Sequence, residues 1–360
     1  MINALRLMLK NFHASRVRLT SFILPVLVVS ILVLTSGCGL FGAKRKIEVP
    51  QLLEPLQVAD KTRLIQEINR LSTVKSIHGK VDIQFQDTSF ASSGIADQYR
   101  LVDGTITLQR PGKIYLVIQF TFVDIAQMAS DGERFSVAVL KGDEKYRRFV
   151  KGTNSAVYER LPADANHTTA PPKNDKQKTE KQTVSALSNL RPQHLTDAFM
   201  IRPIEANNTS IYVQSQFFQE EADTRPRAKK DARVMRGYYL LEELSQPQGG
   251  EAKMSRRFWF DRVNGIRLAR VQTYDDVGQI ITDVSYANET TLGSGATASL
   301  PSRIEITRPQ DQYKLSITYQ DASSVELNRE YNPKAFVLDN KWQLPELDLD
   351  VSHRKVTANQ

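Results

Sequence analysis

Cys38 is the residue of this sequence best suited to a covalent reaction, and it is the only cysteine among 360 residues. A single cysteine cannot form a disulfide within its own chain, so its thiol is available for another reaction. It directly follows the small residues Ser36 and Gly37, which come after a run of apolar residues. In an exported chain, acylation of the sulfur would account for a single unpaired cysteine. We therefore predict that Cys38 carries lipid.

The segment in front of Cys38 has the layout of a secretory signal. Four Lys and Arg residues within the first 18 positions precede an apolar run at 22–34, and no acidic residue occurs before Glu48. A membrane-spanning helix needs about 20 apolar residues, so this run is too short. The residues Thr-Ser-Gly-Cys at 35–38 resemble the lipobox at which bacterial lipoproteins are cut. The sequence predicts a signal peptide at 1–37, and the alternative is an uncleaved membrane anchor with an accidental cysteine.

The rest of the sequence has few patterns typical of catalysis. A G-x-G-x-x-G match at 37–42 lies across the predicted cleavage site and follows no strand, so it is not a nucleotide-binding motif. The sequence contains neither G-x-S-x-G nor H-E-x-x-H. The five histidines, at positions 13, 78, 167, 194 and 353, do not have the spacing of metal ligands. We expect no enzyme, no metal and no cofactor, although a bound lipid or acyl chain fits the composition.

The positive charge of the chain comes largely from the predicted signal. Cleavage before Cys38 lowers the formal charge from +8 to +4, because residues 1–37 hold four basic and no acidic residues. The remaining sequence does not interleave aromatic and basic residues as nucleic-acid binders do. The expected partner is therefore a membrane, reached through lipidated Cys38, and not nucleic acid.

The chain after Cys38 begins with a predicted tether at 38–59, which contains Pro50 and Pro55 and has no sustained period. A helix is predicted at 60–76, because apolar residues recur there at three- and four-residue spacing. Asp60 is placed to cap its N-terminus. A second helical region at 184–200 contains Pro192, which predicts two short helices, the second starting near this proline.

The remaining segments alternate with a period of two and predict an antiparallel sheet. Strands are expected at 81–85, 105–109, 114–120, 125–129, 134–140, 145–150, 210–218, 235–244, 257–261, 266–274, 279–286, 302–307 and 312–319. Residues 160–182 are mainly Pro, Asn, Asp, Thr and Lys and predict a disordered insertion. The prediction is one domain at 60–350, mainly β (α+β), followed by a tail at 351–360.

The alternation places a set of apolar side chains on one face of the predicted sheet. The candidate residues of this face are Val81, Ile83, Phe85, Ile106, Leu108, Ile114, Leu116, Ile118, Phe258, Phe260, Ile280 and Val284. They either form a closed core or line an apolar cavity. Ligand pockets and cores are both mainly apolar, so composition does not separate the two interpretations.

Several short motifs resemble the bacterial lipoprotein-sorting family of LolA and LolB over most of residues 60–350. They are Arg-Pro-Gly at 110–112 after a strand, Ser-Asp-Gly at 130–132, Phe-Trp-Phe-Asp at 258–261, Tyr-Asp-Asp-Val-Gly at 274–278 and the tail motif Ala-Phe-Val-Leu-Asp at 335–339. The resemblance implies an antiparallel half-barrel whose concave apolar face holds acyl chains under a lid of short helices. It also implies that Arg110 matches the family arginine that bonds to the lid. The insertion at 160–182 departs from the family, and the anchor fits a LolB-like receptor better than a soluble carrier.

Two functions follow from these observations. The first is a lipid-anchored outer-membrane protein, facing the periplasm, that binds acyl chains of lipoproteins or other lipids and receives them from a periplasmic carrier. The second is a structural or assembly lipoprotein whose sheet packs against an envelope complex. Lipid that co-purifies with the protein would favour the first, and a stable protein partner found by cross-linking would favour the second.

Overall fold

The computed structural model of the chain describes residues 49–88, 97–98, 102–142, 144, 147–158, 161, 188–205, 210–245, 250–263, 265–293 and 299–351. The chain divides into two compact units, Met1–Pro50 and Gln51–Gln360, and every element below belongs to the second. Cys38 lies outside the described residues, as does the predicted insertion at 160–182 except for Leu161. Among the described helices, none combines the length and hydrophobicity required to cross a membrane.

The two helices form where the sequence predicts them. Helix α1 spans Lys61–Ser72, and its N-cap Asp60 accepts a hydrogen bond from the backbone N–H of Arg63 at 2.9 Å. Helix α2 spans Pro192–Phe199 and starts at the proline, whose missing N–H costs nothing in a first helical turn. Two short 3-10 helices, Ala322–Ser324 and Pro333–Phe336, lie in the C-terminal part.

The strands come mostly in the two runs that the alternation predicts, one before and one after α2. They are β1 (Gln51–Leu52), β2 (Ser76–Asp87), β3 (Asp97–Gln98), β4 (Val102–Gln109), β5 (Lys113–Phe120), β6 (Val123–Asp131), β7 (Arg134–Val139), β8 (Arg148–Thr153), β9 (Ile211–Ala222), β10 (Arg233–Ser245), β11 (Lys253–Asp261), β12 (Arg267–Tyr274), β13 (Ile280–Thr291), β14 (Ser299–Arg308), β15 (Tyr313–Tyr319), β16 (Glu326–Leu327) and β17 (Glu346–Asp348).

The two runs join into one sheet through β2. This strand pairs antiparallel with β4 of its own run on one side and with β15 of the second run on the other. The long strands therefore follow one another in the order β9, β10, β11, β12, β13, β14, β15, β2, β4, β5, β6, β7 and β8. All of these pairs are antiparallel.

The sheet does not close on itself within the described residues. Among the described strands, β9 pairs only with β10, while β8 at the other edge pairs with β7 and the short parallel strand β17. Alternate side chains from both halves pack into one core together with α1 and α2. The predicted fold class, a mainly β protein with an antiparallel half-barrel and short helices, is confirmed.

The structure differs from the predicted tether at its C-terminal part. Residues 51–52 form β1, which pairs in parallel with β10, and the backbone N–H of Leu53 donates to the carbonyl of Met235 at 2.9 Å. Leu53 is buried. This segment shows no alternating pattern in the sequence. Its hydrogen bonds and apolar contacts come from its pairing with the sheet.

Candidate functional site

The concave face of the sheet collects most of the apolar residues that the sequence places on one face. Ten of the twelve candidates are buried in the main core: Val81, Ile83, Ile106, Leu108, Ile114, Leu116, Ile118, Phe258, Phe260 and Val284. Phe85 is partly buried against this core, while Ile280 is half-buried and lies outside it. Strands from both halves of the chain thus contribute to one apolar surface.

The two helices fill this surface in the structure. Leu64 and Ile68 of α1 and Leu195 of α2 are fully buried against it. A gap of about 20 Å³ remains between Leu71, Phe199, Tyr286 and Tyr319. An acyl chain does not fit into such a gap. Within the described residues, an acyl chain therefore reaches the apolar surface beneath the helices only if a helix moves.

Arg110 fixes the ends of both helical segments. It lies in the turn between β4 and β5, and its Nε donates to the carbonyl of Val74 at 2.8 Å. Its two terminal nitrogens donate to the carbonyls of Met200 at 3.0 Å and Ile201 at 2.9 Å. Burial lowers the pKa of Arg110, which has no carboxylate partner among the described residues. One planar guanidinium therefore holds the segments after α1 and α2 together through neutral oxygens.

The turn that presents Arg110 depends on two glycines. Gly112 has φ of +63° and Gly132, in the β6–β7 turn, has φ of +103°. A Cβ atom on Gly132 would lie 2.8 Å from the carbonyl oxygen of Pro111. The Arg-Pro-Gly and Ser-Asp-Gly motifs are therefore in contact, and only glycine combines this backbone with this proximity.

In the described part of the chain, three further side chains form neutral contacts with the segment at 191–204, which we call the lid. The Tyr286 hydroxyl donates to the carbonyl of Ala198 at 2.8 Å. The Asn69 side chain of α1 makes two hydrogen bonds with the backbone of Ile204, at 2.9 and 2.8 Å. His194 Nδ1 lies 2.8 Å from the hydroxyl of Tyr313. These are neutral contacts of about 1 kcal/mol each.

The hydroxyl of Tyr319 lies under the lid and makes no hydrogen bond within the described part of the chain. Its surroundings are apolar, and burial raises the pKa of this phenol. A buried donor without a partner costs about 1–3 kcal/mol. We therefore expect Tyr319→Phe to raise the free energy of unfolding by up to about 1 kcal/mol, measured by urea denaturation.

Tyr313→Phe is the matched control for this prediction, because its hydroxyl bonds to His194. That variant is expected to lose about 1 kcal/mol. A loss of stability in Tyr319→Phe would contradict the prediction and indicate that the hydroxyl binds a trapped water.

One end of the concave face is polar. The registers align Tyr212 of β9, Glu243 of β10, Arg256 of β11, Thr273 of β12 and Thr282 of β13, and continue to Arg308 of β14 and Tyr313 of β15. We call these seven residues the polar row. On β10 to β15 the apolar face ends one inward position before the row, as with Ile306 before Arg308, whereas β9 has Gln214 at that position. The concave face is therefore amphipathic along its length.

A cavity of about 950 Å³ lies between the polar row, the loop at 154–158 and lid residues on both sides of α2, including Arg191 and Arg202. We call it the polar chamber. Glu243 contacts Arg256 and accepts from the Tyr212 hydroxyl at 2.8 Å, and burial with this bond raises the pKa of Tyr212 to about 12. Arg308 donates to Asp311 at 2.7 Å and to Thr282 at 2.6 Å. Burial lowers the pKa of His194 well below its ordinary value, and Arg308 and Arg191 lower it further.

Two apolar turn residues are exposed at the same end of the sheet as the polar row. Phe122, in the two-residue β5–β6 turn, is 96% exposed, and Val277, in the β12–β13 turn, is 77% exposed. Thr121 and Phe122 have φ of +47° and +66°, a left-handed region that bulky residues rarely adopt. Such strain costs about 1–3 kcal/mol per residue and often marks a functional position.

Sequence reasoning selected Arg110 and most of the apolar face but missed the polar chamber. Arg191 and His194 lie three residues apart, but Arg308 lies more than a hundred residues further along the chain, so no local pattern brings the three together. His78 bonds to Thr107 Oγ1 at 2.8 Å inside the sheet. Among the described residues, no group of His, Cys, Asp or Glu is arranged to hold a metal ion.

Comparison with known proteins gives matches only among solved structures. No family model matches the sequence, and no curated protein matches it. A LolA superfamily protein from Nitrosomonas europaea matches with 12% identity over 78% of this chain and 99% of its own, at a TM-score of 0.35. A DUF1329 family protein from Desulfovibrio piger matches with 11% identity over 76% and 95%, at 0.34.

A third similar structure is an outer membrane lipoprotein-sorting protein domain from Vibrio parahaemolyticus. It matches with 12% identity over 78% of this chain and 97% of its own, at a TM-score of 0.32. The names of the first and third structures agree with the resemblance drawn from the sequence. Because identities and TM-scores are this low, the proposals that follow depend on the geometry of this chain alone.

Proposed function

We propose that this protein is a lipid-anchored lipoprotein of the outer membrane, facing the periplasm, that binds the acyl chains of lipoproteins or other lipids on its concave face. The observation that carries the proposal is the Arg110 contact. One arginine holds the lid over an apolar surface of an unclosed sheet, using three backbone carbonyls. A lid held by a few polar contacts can detach without breaking the sheet.

The energetics favour exchange of the lid for an acyl chain. Detaching α2 alone exposes buried side chains such as Leu195 and Phe199, each at about 1.5–3 kcal/mol. An acyl chain that takes their place gains about 0.8 kcal/mol per buried methylene. The ligand thus offsets the cost of opening, whereas the lid stays closed without it. This behaviour suits a receptor that must both take up and release a hydrophobic chain.

Acylated Cys38 would keep the domain at the membrane. Two or more acyl chains give lasting attachment, whereas a single chain is marginal. The LolB-like role follows from this anchor, because a receptor must stay where the cargo is delivered. The cargo would arrive from a periplasmic carrier at the end of the sheet that presents Phe122 and Val277.

The direct test is lipid analysis of the purified full chain. We expect organic extraction and mass spectrometry to recover non-covalently bound lipid, and a fluorescent fatty-acyl probe to bind saturably. Absence of both would overturn the proposal and favour the structural lipoprotein of an envelope complex, which cross-linking to a protein partner would then identify.

The exposed turn gives a second test. Phe122→Glu should slow transfer of the acyl probe to vesicles several-fold, because a charge replaces an apolar side chain at the bilayer surface. The affinity for the probe should not change, since Phe122 lies outside the core. Val337→Glu is the matched control, being an exposed apolar residue beside the 3-10 helix Pro333–Phe336. Equal transfer rates for the two variants would contradict a membrane contact at Phe122.

A further inference from the structure

The polar chamber is not explained by binding of an acyl chain. A site for a hydrocarbon needs apolar walls, yet the chamber is lined by Arg191, Arg202, Arg256 and Arg308. Two of these have carboxylate partners, since Arg256 contacts Glu243 and Arg308 contacts Asp311. Guanidinium groups inside a cavity lose hydration and need an anion or strong acceptors in return.

Arg191 is the least compensated of these cations. Within the described part of the chain it forms no ion pair, and its one hydrogen bond goes to the carbonyl of Ser188 at 2.8 Å. Its guanidinium carbon lies 5.6 Å from the ring centre of Phe135 and 5.8 Å from that of Tyr158. Burial lowers the pKa of Arg191. Aromatic rings on the wall hold this charge in place without neutralising it.

Arg308 and His194 stand on the same side of the chamber. Arg308 is only 9% exposed, and Asp311 is the one carboxylate that contacts it. Asp311 also attracts Arg191, so two guanidinium groups share one carboxylate. The other acidic residues of the chamber are Glu243, which contacts Arg256, Asp197, which Arg202, Arg256 and Arg308 attract, and Glu205. The chamber lining thus holds four arginines and four carboxylates, but Arg191 has no carboxylate within ion-pair distance among the described residues.

We propose that the polar chamber binds the anionic head of an amphiphile, a phosphate group at Arg191 and Arg308, while its acyl chain occupies the apolar part of the concave face. The inference rests on the proposed function, because the chain would enter beneath the lid. A guanidinium matches phosphate oxygens with paired N–H donors. Ile306 and Arg308 are successive inward residues of β14, so the apolar and cationic parts of the site adjoin.

The test compares two photoactivatable probes that differ only in the phosphate: a lysophosphatidic acid and a monoacylglycerol with the same acyl chain. The full chain is kept in an uncharged maltoside detergent, and saturable labelling is quantified by mass spectrometry. We expect the phosphate-bearing probe to bind about tenfold more tightly. Arg191→Gln should remove most of this preference, and Arg191→Lys should retain part of it.

Arg225→Gln is the control, since Arg225 lies in the exposed β9–β10 turn and pairs with Asp223. Labelling by the monoacylglycerol shows that each variant is folded. Equal labelling by the two probes in the unaltered chain would overturn the headgroup site and leave acyl-chain binding intact. Saturable labelling by neither probe would overturn the proposed function as well.

Competition with inorganic phosphate distinguishes a lipid phosphate from free phosphate as the ligand of the polar chamber. If the chamber receives a lipid head, free phosphate should displace the lysophosphatidic acid only at large molar excess. Displacement at equimolar concentration, with monoacylglycerol labelling unchanged, would show a site for free phosphate and overturn the lipid-head assignment.

Discussion

Replacement of Arg110 by leucine is expected to raise the affinity for a fluorescent acyl probe about thirtyfold. The substitution removes three hydrogen bonds, of which the two to Met200 and Ile201 exist only while the lid is closed. Hydrogen bonds to a charged group contribute about 1.5–3 kcal/mol each, but the freed carbonyls recover part of this in water, which leaves roughly 2 kcal/mol. A ligand that binds the open state gains affinity when the closed state is destabilised, and 2 kcal/mol corresponds to about thirtyfold.

The same variant should lose no more than about 2 kcal/mol of global stability, because only the contacts of the closed lid are weakened and the sheet keeps its own. Hydrogen exchange should accelerate in α2 and remain unchanged in β2 and β15. Arg110→Lys should give an intermediate affinity, since an ammonium group cannot reach three carbonyls in one plane. Arg225→Leu provides the matched loss of an arginine away from the lid.

Unchanged probe affinity in Arg110→Leu, together with faster exchange in α2, would contradict binding beneath the lid. A large loss of global stability would show instead that Arg110 belongs to the structural framework. Probe affinity, hydrogen exchange and denaturation are measured on the same preparation. The denaturation curve therefore shows whether the variant is folded.

The sequence predicts the sheet because its signal is local. Alternation at Val81, Ile83 and Phe85 directly reports a strand with one buried face. The turn at Arg110-Pro111-Gly112 and the cap at Asp60 are likewise short patterns with a physical cause. These features identify the elements and the two runs of strands, and together with the family motifs they led to a half-barrel.

The features that the sequence does not reveal depend on how strands distant in the chain align within the sheet. Gly79 follows the predicted helix as a helix-ending glycine would, yet it lies inside β2, where a Cβ would contact Tyr319 and Val325 at 3.3 Å. The polar row likewise depends on how seven strands align, and no window of the sequence contains that alignment. Arg256 and Arg308 look like ordinary strand-end residues until the register places them on one inward face.

A second arginine, Arg70, fixes α1 to the sheet, and we expect its replacement to lower the free energy of unfolding. Arg70 of α1 donates through Nε and a terminal nitrogen to both oxygens of Glu67, at 2.9 and 2.8 Å. It also reaches Glu289 of β13 and the carbonyl of Ser299 of β14. The Glu67 side chain is 1% exposed, so Arg70 is the group that compensates its charge.

Arg70→Met should lower the free energy of unfolding by roughly 3 kcal/mol, the low end for a broken buried pair because Arg70 is itself 32% exposed. The double variant Arg70→Met with Glu67→Leu should recover most of this loss, since no buried charge remains. Chemical denaturation of both variants measures the difference. A loss below about 1 kcal/mol in the single variant would show that Glu67 does not depend on Arg70. The expected loss would establish α1 as framework held by buried ion pairs. Helix α2, which Arg110 holds through neutral carbonyls and Asp197 through attraction to Arg256 and Arg308, is then the helix proposed to move.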